Sequence, residues 1–157
     1  MINDKPLEIL VIDDETEARE IIAESITLTG AIAAKAVDGI DGVENYIAKR
    51  KTGAPYNAVL TDLNMPRGSG AYVTQKVKEL DPLTQVIVVT GYEPEGEYKK
   101  LSEQLQQLKP DGVIRKPIGL DNIKHIVNMV KSVIEIRKTV PDFQPEYSVY
   151  TPPQSQS

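Results

Sequence analysis

Four short apolar runs, each ending in a polar residue, constrain this chain more than any other feature of its sequence. Ile9–Ile12 precedes the pair Asp13 and Asp14, and Ala58–Leu60 leads to Asp62. Two further runs end at Thr90 and Lys116. Unbroken apolar runs that alternate with helical patterns predict a parallel sheet covered by helices on both faces. Because ligands bind beyond the carboxyl ends of such strands, these polar residues are candidates for one site.

The segments between the runs have helical spacing and recognisable end signals. Gly30 is expected to end the first helix and Pro82 to follow the third, while Asp14 suits the N-terminus of the first helix. The spacing places Ile21 on the buried stripe of the first helix and Leu120 on that of the last. The predicted strands cover 8–13, 31–37, 57–62, 85–90 and 112–115, and the predicted helices about 15–28, 42–51, 70–80, 94–107 and 120–138.

The composition changes after Lys138, so residues 1–138 are predicted to form one domain and 139–157 a tail or linker. Two interpretations of 141–150 stay open. This segment is either a flexible linker, or its aromatic residues Phe143, Tyr147 and Tyr150 dock on the domain or on a partner.

Composition excludes several classes of function. The chain has no cysteine, which excludes disulfides and thiolate metal sites and favours a reducing, cytoplasmic setting. The net charge is −5 and no block of Lys and Arg occurs, so direct nucleic-acid binding has no electrostatic support. No apolar run reaches transmembrane length, and the N-terminus does not have the pattern of a secretory signal, so no membrane association is predicted.

The polar residues at the strand ends form a chemically consistent set. Asp13, Asp14 and Asp62 offer only hard oxygen ligands, which favour Mg²⁺, and carboxylates can attack phosphorus. The Lys116 ammonium and the Thr90 hydroxyl could then stabilise a transferring phosphoryl group, and the Lys116–Pro117 bond is a candidate cis peptide. Each residue alone has an ordinary explanation, as a helix cap, a solvated charge or a β-branched filler. Their coincidence at four strand ends favours a phosphate and metal site.

Over residues 7–138 the sequence resembles the receiver domain of two-component response regulators. The resemblance depends on the Asp13–Asp14 pair, the run Asp62–Pro66 with Gly70, Thr90 with Gly91, and Lys116–Pro117. It implies a flavodoxin-like (βα)5 doubly wound α/β sheet with strand order 2-1-3-4-5.

The same resemblance implies a function in two-component or phosphorelay signalling. Asp62 would accept a phosphoryl group from a phosphohistidine of a sensor histidine kinase or a histidine phosphotransfer protein. Asp13, Asp14, Asp62 and the backbone carbonyl of Asn64 would hold Mg²⁺, and Thr90 and Lys116 would contact the phosphoryl oxygens. The chain would then act through protein contacts with a downstream target rather than as an enzyme, through the face of the fourth and fifth helices and fifth strand.

Two positions depart from the family pattern. Val113 stands where the family usually has a switching aromatic residue, and Ile118 follows Lys116–Pro117 where an aromatic is common. Tyr92, two residues after Thr90, is a candidate substitute.

Rival interpretations are an Mg²⁺-dependent phosphatase with an aspartyl-phosphate intermediate, an interaction module that has lost phosphorylation, and a phosphocarrier using His125. A nucleotide-binding domain is disfavoured because no glycine-rich loop follows the first strand.

Overall fold

The structure is a computed structural model that describes residues 5–91, 103, 104 and 106–145, together with the backbone of 149 and 150. A sheet lies between two layers of helices. Its strands are β1 (Glu8–Ile12), β2 (Ile32–Ala36), β3 (Ala58–Asp62), β4 (Gln85–Thr90), β5 (Gly112–Arg115) and β6 (Val149–Tyr150). The helices are α1 (Thr16–Leu28), α2 (Gly39–Lys51), α3 (Gly70–Leu80) and the C-terminal helix (Leu120–Arg137).

All strand pairs are parallel, and the order across the sheet is β2-β1-β3-β4-β5-β6. The predicted α/β class and the predicted order 2-1-3-4-5 are therefore confirmed, with a two-residue strand added outside β5. Asp62 is in register with Val89, and Thr90 with Arg115. This alignment brings the polar ends of β1, β3, β4 and β5 to one edge of the sheet.

The core explains why the strands read as unbroken apolar runs. Every residue of β3 and β4 is buried. On one face, α1 and the C-terminal helix cover the sheet with side chains that include Ile26, Ile126 and Val130. On the other face, α2 and α3 contribute Tyr46 and Val77. Each such buried apolar side chain stabilises the fold by about 1.5–3 kcal/mol relative to exposure.

Two helix starts differ from the prediction. The first helix begins at Thr16, one residue after the predicted start, and Glu15 occupies its N-cap position without a side-chain cap. Asp14 therefore lies one residue before the N-cap, still at the N-terminal end of the helix. Helix α2 begins at Gly39, three residues before the predicted start at Gly42. Asp38 caps α2 by accepting a hydrogen bond from the Asp41 N–H at 2.8 Å.

Two residues predicted to face the core are exposed, namely Ile21 (49%) and Leu120 (37%). Ile21 precedes the buried Ile22, and successive helical residues point about 100° apart, so the two cannot share a narrow buried stripe. Leu120 is the first residue of its helix, where a side chain has no earlier turn of that helix to cover.

The fourth predicted helix, 94–107, lies mostly outside the described residues. Residues 103, 104 and 106–108 are helical, while 92–102, with Tyr92 among them, are not described. In the tail, the backbone of residues 149 and 150 pairs with β5, whereas Tyr147 and the side chain of Tyr150 lie outside the described part of the chain. Among the described helices, none has the length and apolar character needed to cross a bilayer.

Candidate functional site

Three carboxylates meet at the carboxyl edge of the sheet. Asp13 follows β1, Asp62 ends β3, and one oxygen each of Asp13, Asp14 and Asp62 lies within 4.8 Å of the others. Asp13 is 1% exposed and Asp62 7% exposed, whereas Asp14 is exposed. The three acids singled out in the sequence are thus brought together, two of them buried and one facing solvent.

Lys116 supplies the opposing charge. Its Nζ lies 3.2 Å from Asp13 Oδ2 and 3.6 Å from Asp62 Oδ2. Burial lowers the pKa of Lys116, but the charges of Asp62 and Asp13 outweigh that effect, and the net pKa is raised. The Lys116–Pro117 peptide is cis, as predicted.

Asp62 is held by the backbone that follows it. Its Oδ1 accepts a hydrogen bond from the Leu63 N–H at 2.9 Å. The net pKa of the Asp62 carboxyl is raised to about 6. Burial is the main cause and the negative charges of Asp13 and Asp14 add to it, while Lys116 and the Leu63 N–H act in the opposite direction. The single lysine therefore does not fully compensate the carboxylates.

Asp13 has supports that sequence reasoning missed. Its Oδ1 accepts the Glu15 N–H at 3.0 Å, and its backbone carbonyl accepts a hydrogen bond from Arg19 Nη1 at 2.9 Å. Arg19 lies near the start of α1, where the helix dipole disfavours a cation. That unfavourable placement, next to an acidic pair, was the available signal.

Thr90 and Asn64 take different places at this edge. Thr90 is 5% exposed and its carbonyl accepts the Lys116 N–H at 2.7 Å. Its hydroxyl donates to the Gly91 carbonyl at 2.9 Å, so in this state it is turned toward its own loop. Asn64 is exposed in the loop two residues after Asp62.

The loop between β3 and α3 approaches the site closely. A Cβ on Gly70 would lie 2.5 Å from the Asp62 carbonyl oxygen, so only glycine fits there. Gly68 has φ +91°, a conformation that other residues rarely adopt. These two glycines let the chain turn directly after Asp62 and return into a helix.

Two other residues singled out in the sequence lie elsewhere. His125 is exposed on the C-terminal helix and is not part of the cluster formed by Asp13, Asp14 and Asp62. Val113 is 3% exposed and packs with Leu63 and Val88 in a small cluster below the site. A short valine thus fills a buried position in β5.

The donor set fits a hard divalent cation. The ligands available from the side chains are carboxylate oxygens only, and the carboxylates outnumber the lysine that faces them. Magnesium prefers such oxygens and retains waters that leave room for phosphate. The arrangement can therefore hold Mg²⁺ beside a carboxylate that reacts with phosphorus.

Comparison with known proteins gives a consistent result. Residues 9–128 match the family model of the response regulator receiver domain. The chain is 33% identical over 99 residues to the chemotaxis protein CheY of Treponema pallidum. That match covers 62% of this chain and 67% of that protein. It is 25% identical over 126 residues to the autoinducer 1 sensor kinase/phosphatase LuxN of Vibrio campbellii.

The match to LuxN covers 80% of this chain but only 14% of that relative, so the chain spans a small part of the sensor kinase. Among solved structures, the REC domain of AraT, a response regulator from Geobacillus stearothermophilus, superposes with a TM-score of 0.70 at 26% identity. That match covers 85% of this chain and 99% of the other.

Proposed function

The chain belongs to the response regulator receiver family, and from that premise we propose that it accepts a phosphoryl group on Asp62 from a phosphohistidine, with Mg²⁺ bound beside it. Receiver domains are signalling modules, and we propose that this one signals through protein contacts in the cytoplasm. The observation that carries the proposal is the excess of carboxylates over cations at the carboxyl edge, with Asp62 nearly buried among them.

Separate groups of the site would bind the metal, orient Asp62 and react with phosphorus. Asp13, Asp14, Asp62 and the Asn64 carbonyl would hold Mg²⁺, which when bound offsets the carboxylate charge and neutralises charge on the phosphoryl oxygens. The Leu63 N–H, at 2.9 Å from Oδ1, fixes the Asp62 carboxylate. A carboxylate oxygen of Asp62 attacks phosphorus, an O–P bond forms, the N–P bond to the donor histidine breaks, and its imidazole leaves.

Lys116 and Thr90 then act on the transferred group. The Lys116 ammonium, already within 3.6 Å of Asp62, can form a charge-assisted contact with a phosphoryl oxygen. The Thr90 hydroxyl would have to leave the Gly91 carbonyl and rotate to make a similar contact. That rotation would distinguish the phosphorylated domain from the unphosphorylated one.

The first test is phosphorylation by a small phosphodonor. With acetyl phosphate and Mg²⁺, the intact mass of the wild type should rise by one phosphoryl group, and Asp62→Asn should abolish the gain. Asp121→Asn, which removes an exposed carboxylate on the C-terminal helix, is the matched control and should be labelled normally. Equal labelling of Asp62→Asn would show that another residue is the acceptor, and no labelling of the wild type would favour the interaction-module alternative.

An apolar depression beside Lys116 supports docking of a phosphohistidine protein. It has a volume of about 400 Å³ and is lined by Ala18, Ile21, Ile22, Lys116, Pro117 and Ile118. Ile21 is half exposed here although it is apolar, and exposed apolar surface next to a reactive group is typical of a protein contact. A sensor histidine kinase or a histidine phosphotransfer protein would carry its histidine to Asp62 across this surface.

The docking surface can be tested separately from the chemistry. Ile21→Asp should slow phosphotransfer from a cognate histidine phosphotransfer protein while leaving labelling by acetyl phosphate unchanged. Leu28→Asp is the matched control, because Leu28 is the last residue of α1, lies outside the lining of this depression and is 68% exposed. Equal slowing by both variants, or slowing with acetyl phosphate, would argue against this surface.

A further inference from the structure

The outer edge of β5 is occupied by the tail of the same chain. Val149 and Tyr150 pair in parallel with Val113 and Ile114 on the side of β5 away from β4. An edge strand presents unpaired N–H and C=O groups that attract another strand, and adding an extended segment to a sheet edge is a common mode of peptide recognition. Residues 149 and 150 thus fill the position that an extended segment of a partner would take.

The path of the tail toward this edge is held by specific contacts. Arg137 Nε donates to the Phe143 carbonyl at 2.9 Å, and Arg137 Nη1 donates to the Leu83 carbonyl at 2.6 Å. Gln144 and Pro145 then line a pocket of about 260 Å³ with Lys109, Pro110 and Asp111, directly before β5. Residues 144 and 145 therefore lie beside the start of β5, with which residues 149 and 150 pair in parallel.

The added strand is short. Only two residue pairs join β6 to β5, and each backbone hydrogen bond adds little net stability because water competes for the same groups. Docked and undocked tails should consequently differ little in free energy. A modest change elsewhere in the domain can shift the balance between them.

The residues that hold the tail are connected to the acidic site. Val113 packs with Leu63 and Val88, and the Leu63 N–H is bound to Asp62 Oδ1. Lys116 follows Ile114 by two residues and faces Asp62. A charge added at Asp62 that draws Lys116 toward it therefore acts on the strand segment that pairs with the tail.

We propose that the outer edge of β5 is a strand-accepting surface, that residues 149 and 150 are its ligand within the chain, and that phosphorylation of Asp62 releases them. Since the tail is docked in the unmodified chain, release is the change that can expose the edge to an extended segment of a partner protein. The release rests on the proposed function, whereas the docking does not.

Amide hydrogen exchange on the full chain tests the docking. In the double variant Val149→Pro, Tyr150→Pro the tail loses both backbone donors. Exchange at the amides of β5 that face the tail should rise by about tenfold, as expected for loss of local pairing. Ser155→Pro, at a later tail position, is the matched control, and the β3 amides report an intact core. Equal exchange in all three proteins would overturn the docking.

The release is tested by repeating the measurement after treatment with acetyl phosphate and Mg²⁺, with the intact mass recorded on the same samples. Once the mass shows a phosphoryl group, exchange at β5 in the wild type should rise to the level of the double-proline variant, and Asp62→Asn should not respond. Unchanged exchange in phosphorylated wild type would overturn the release. Absence of any mass gain would overturn the release together with the proposed function, while the comparison of untreated variants still decides the docking.

Discussion

The amino and carboxyl ends of the sheet differ in whether their buried carboxylates are balanced by cations. At the amino end, Lys78 pairs with the buried Asp111, and its Nζ also donates to the Thr84 carbonyl at 2.7 Å. At the carboxyl end, three carboxylates lie together, and Lys116 is within 3.6 Å of two of them, Asp13 and Asp62. The amino end matches a buried carboxylate with a cation, and the carboxyl end leaves negative charge in excess.

This difference separates stability from function within one fold. A buried, hydrogen-bonded ion pair changes the stability of the fold little, but removing one partner lowers it strongly because the other charge stays buried. An unmatched cluster destabilises the chain until a cation or another ligand neutralises it. We therefore expect substitutions at the amino end to lower stability, and substitutions among the acids at the carboxyl end to raise it.

The largest effect is expected at Lys78. Lys78→Met leaves Asp111 buried without its cation and should lower the free energy of unfolding by about 3 kcal/mol. Lys76→Met is the matched control on the same helix, since Lys76 lies 3.9 Å from Glu79 with both side chains about half exposed. Its cost should be below about 0.5 kcal/mol. Urea denaturation measures both, and equal costs would contradict the comparison.

Lys116→Met tests the other end with the same chemical change. It removes the cation that faces Asp13 and Asp62 and should lower the free energy of unfolding by about 2 kcal/mol, less than at Lys78 because the site is open to a cation from solution. Adding Mg²⁺ should reduce the difference in free energy of unfolding between Lys116→Met and the wild type. It should leave the difference between Lys78→Met and the wild type unchanged. Equal responses of both variants to Mg²⁺ would remove the distinction between the two ends.

Asp62→Asn should act in the opposite direction. The pKa of Asp62 is raised from 3.8 to about 6 in the fold, so the folded state binds a proton more tightly than the unfolded chain and the wild type loses stability as the pH rises from 4 to 6. This raised pKa already includes the attraction of Lys116, so replacing the charged carboxylate by an amide should stabilise the metal-free protein by about 1–2 kcal/mol at pH 7.5.

That gain should disappear near pH 4, where Asp62 is already neutral in the fold. Chemical denaturation at the two pH values checks it, with Asp121→Asn as the control for losing one exposed carboxylate. Parallel stability profiles for wild type and Asp62→Asn would contradict the expected pH dependence.

Tyr46→Phe should give the smallest effect of the four. The fully buried Tyr46 hydroxyl donates to Asp81 Oδ2 at 2.6 Å and lies 2.7 Å from Thr84 Oγ1. Burial and the Asp81 carboxylate raise the pKa of Tyr46, so the hydroxyl stays a donor. Its loss should cost about 1 kcal/mol, measured by thermal unfolding. Tyr56→Phe, on the ring that lies 6.4 Å from that of Tyr46, should cost less.

The sequence predicted correctly those features that depend on neighbouring residues along the chain. Apolar runs that stop at Asp13, Asp62, Thr90 and Lys116 predicted both the strands and the edge at which these residues meet. The start of α2 was missed because Gly39 and Gly42 resemble loop residues. Both are required by tertiary contacts instead, since a Cβ would lie 2.1 Å from the Gly68 carbonyl oxygen at Gly39 and 2.3 Å from the Ile12 side chain at Gly42.

The sequence could not predict two other features in full. A strand of two residues, Val149–Tyr150, is too short to show an alternation of apolar and polar positions. The hydrogen bond from Arg19 to the Asp13 carbonyl depends on the direction in which α1 leaves the sheet. Features of this kind depend on three-dimensional packing that a linear pattern does not contain.

The strand Val149–Tyr150 also limits how copies of this chain can grow into larger assemblies. In a sheet with β2 at one margin and β5 at the other, the β5 of one copy could add to the β2 of the next, and a head-to-tail contact of this kind repeats without end. With the two tail residues paired to β5, the outermost described strand on that side of the sheet has only two residues. Such a strand is too short to pair with much of a strand from another copy. Polymerisation into fibres through this edge of the sheet is thereby disfavoured.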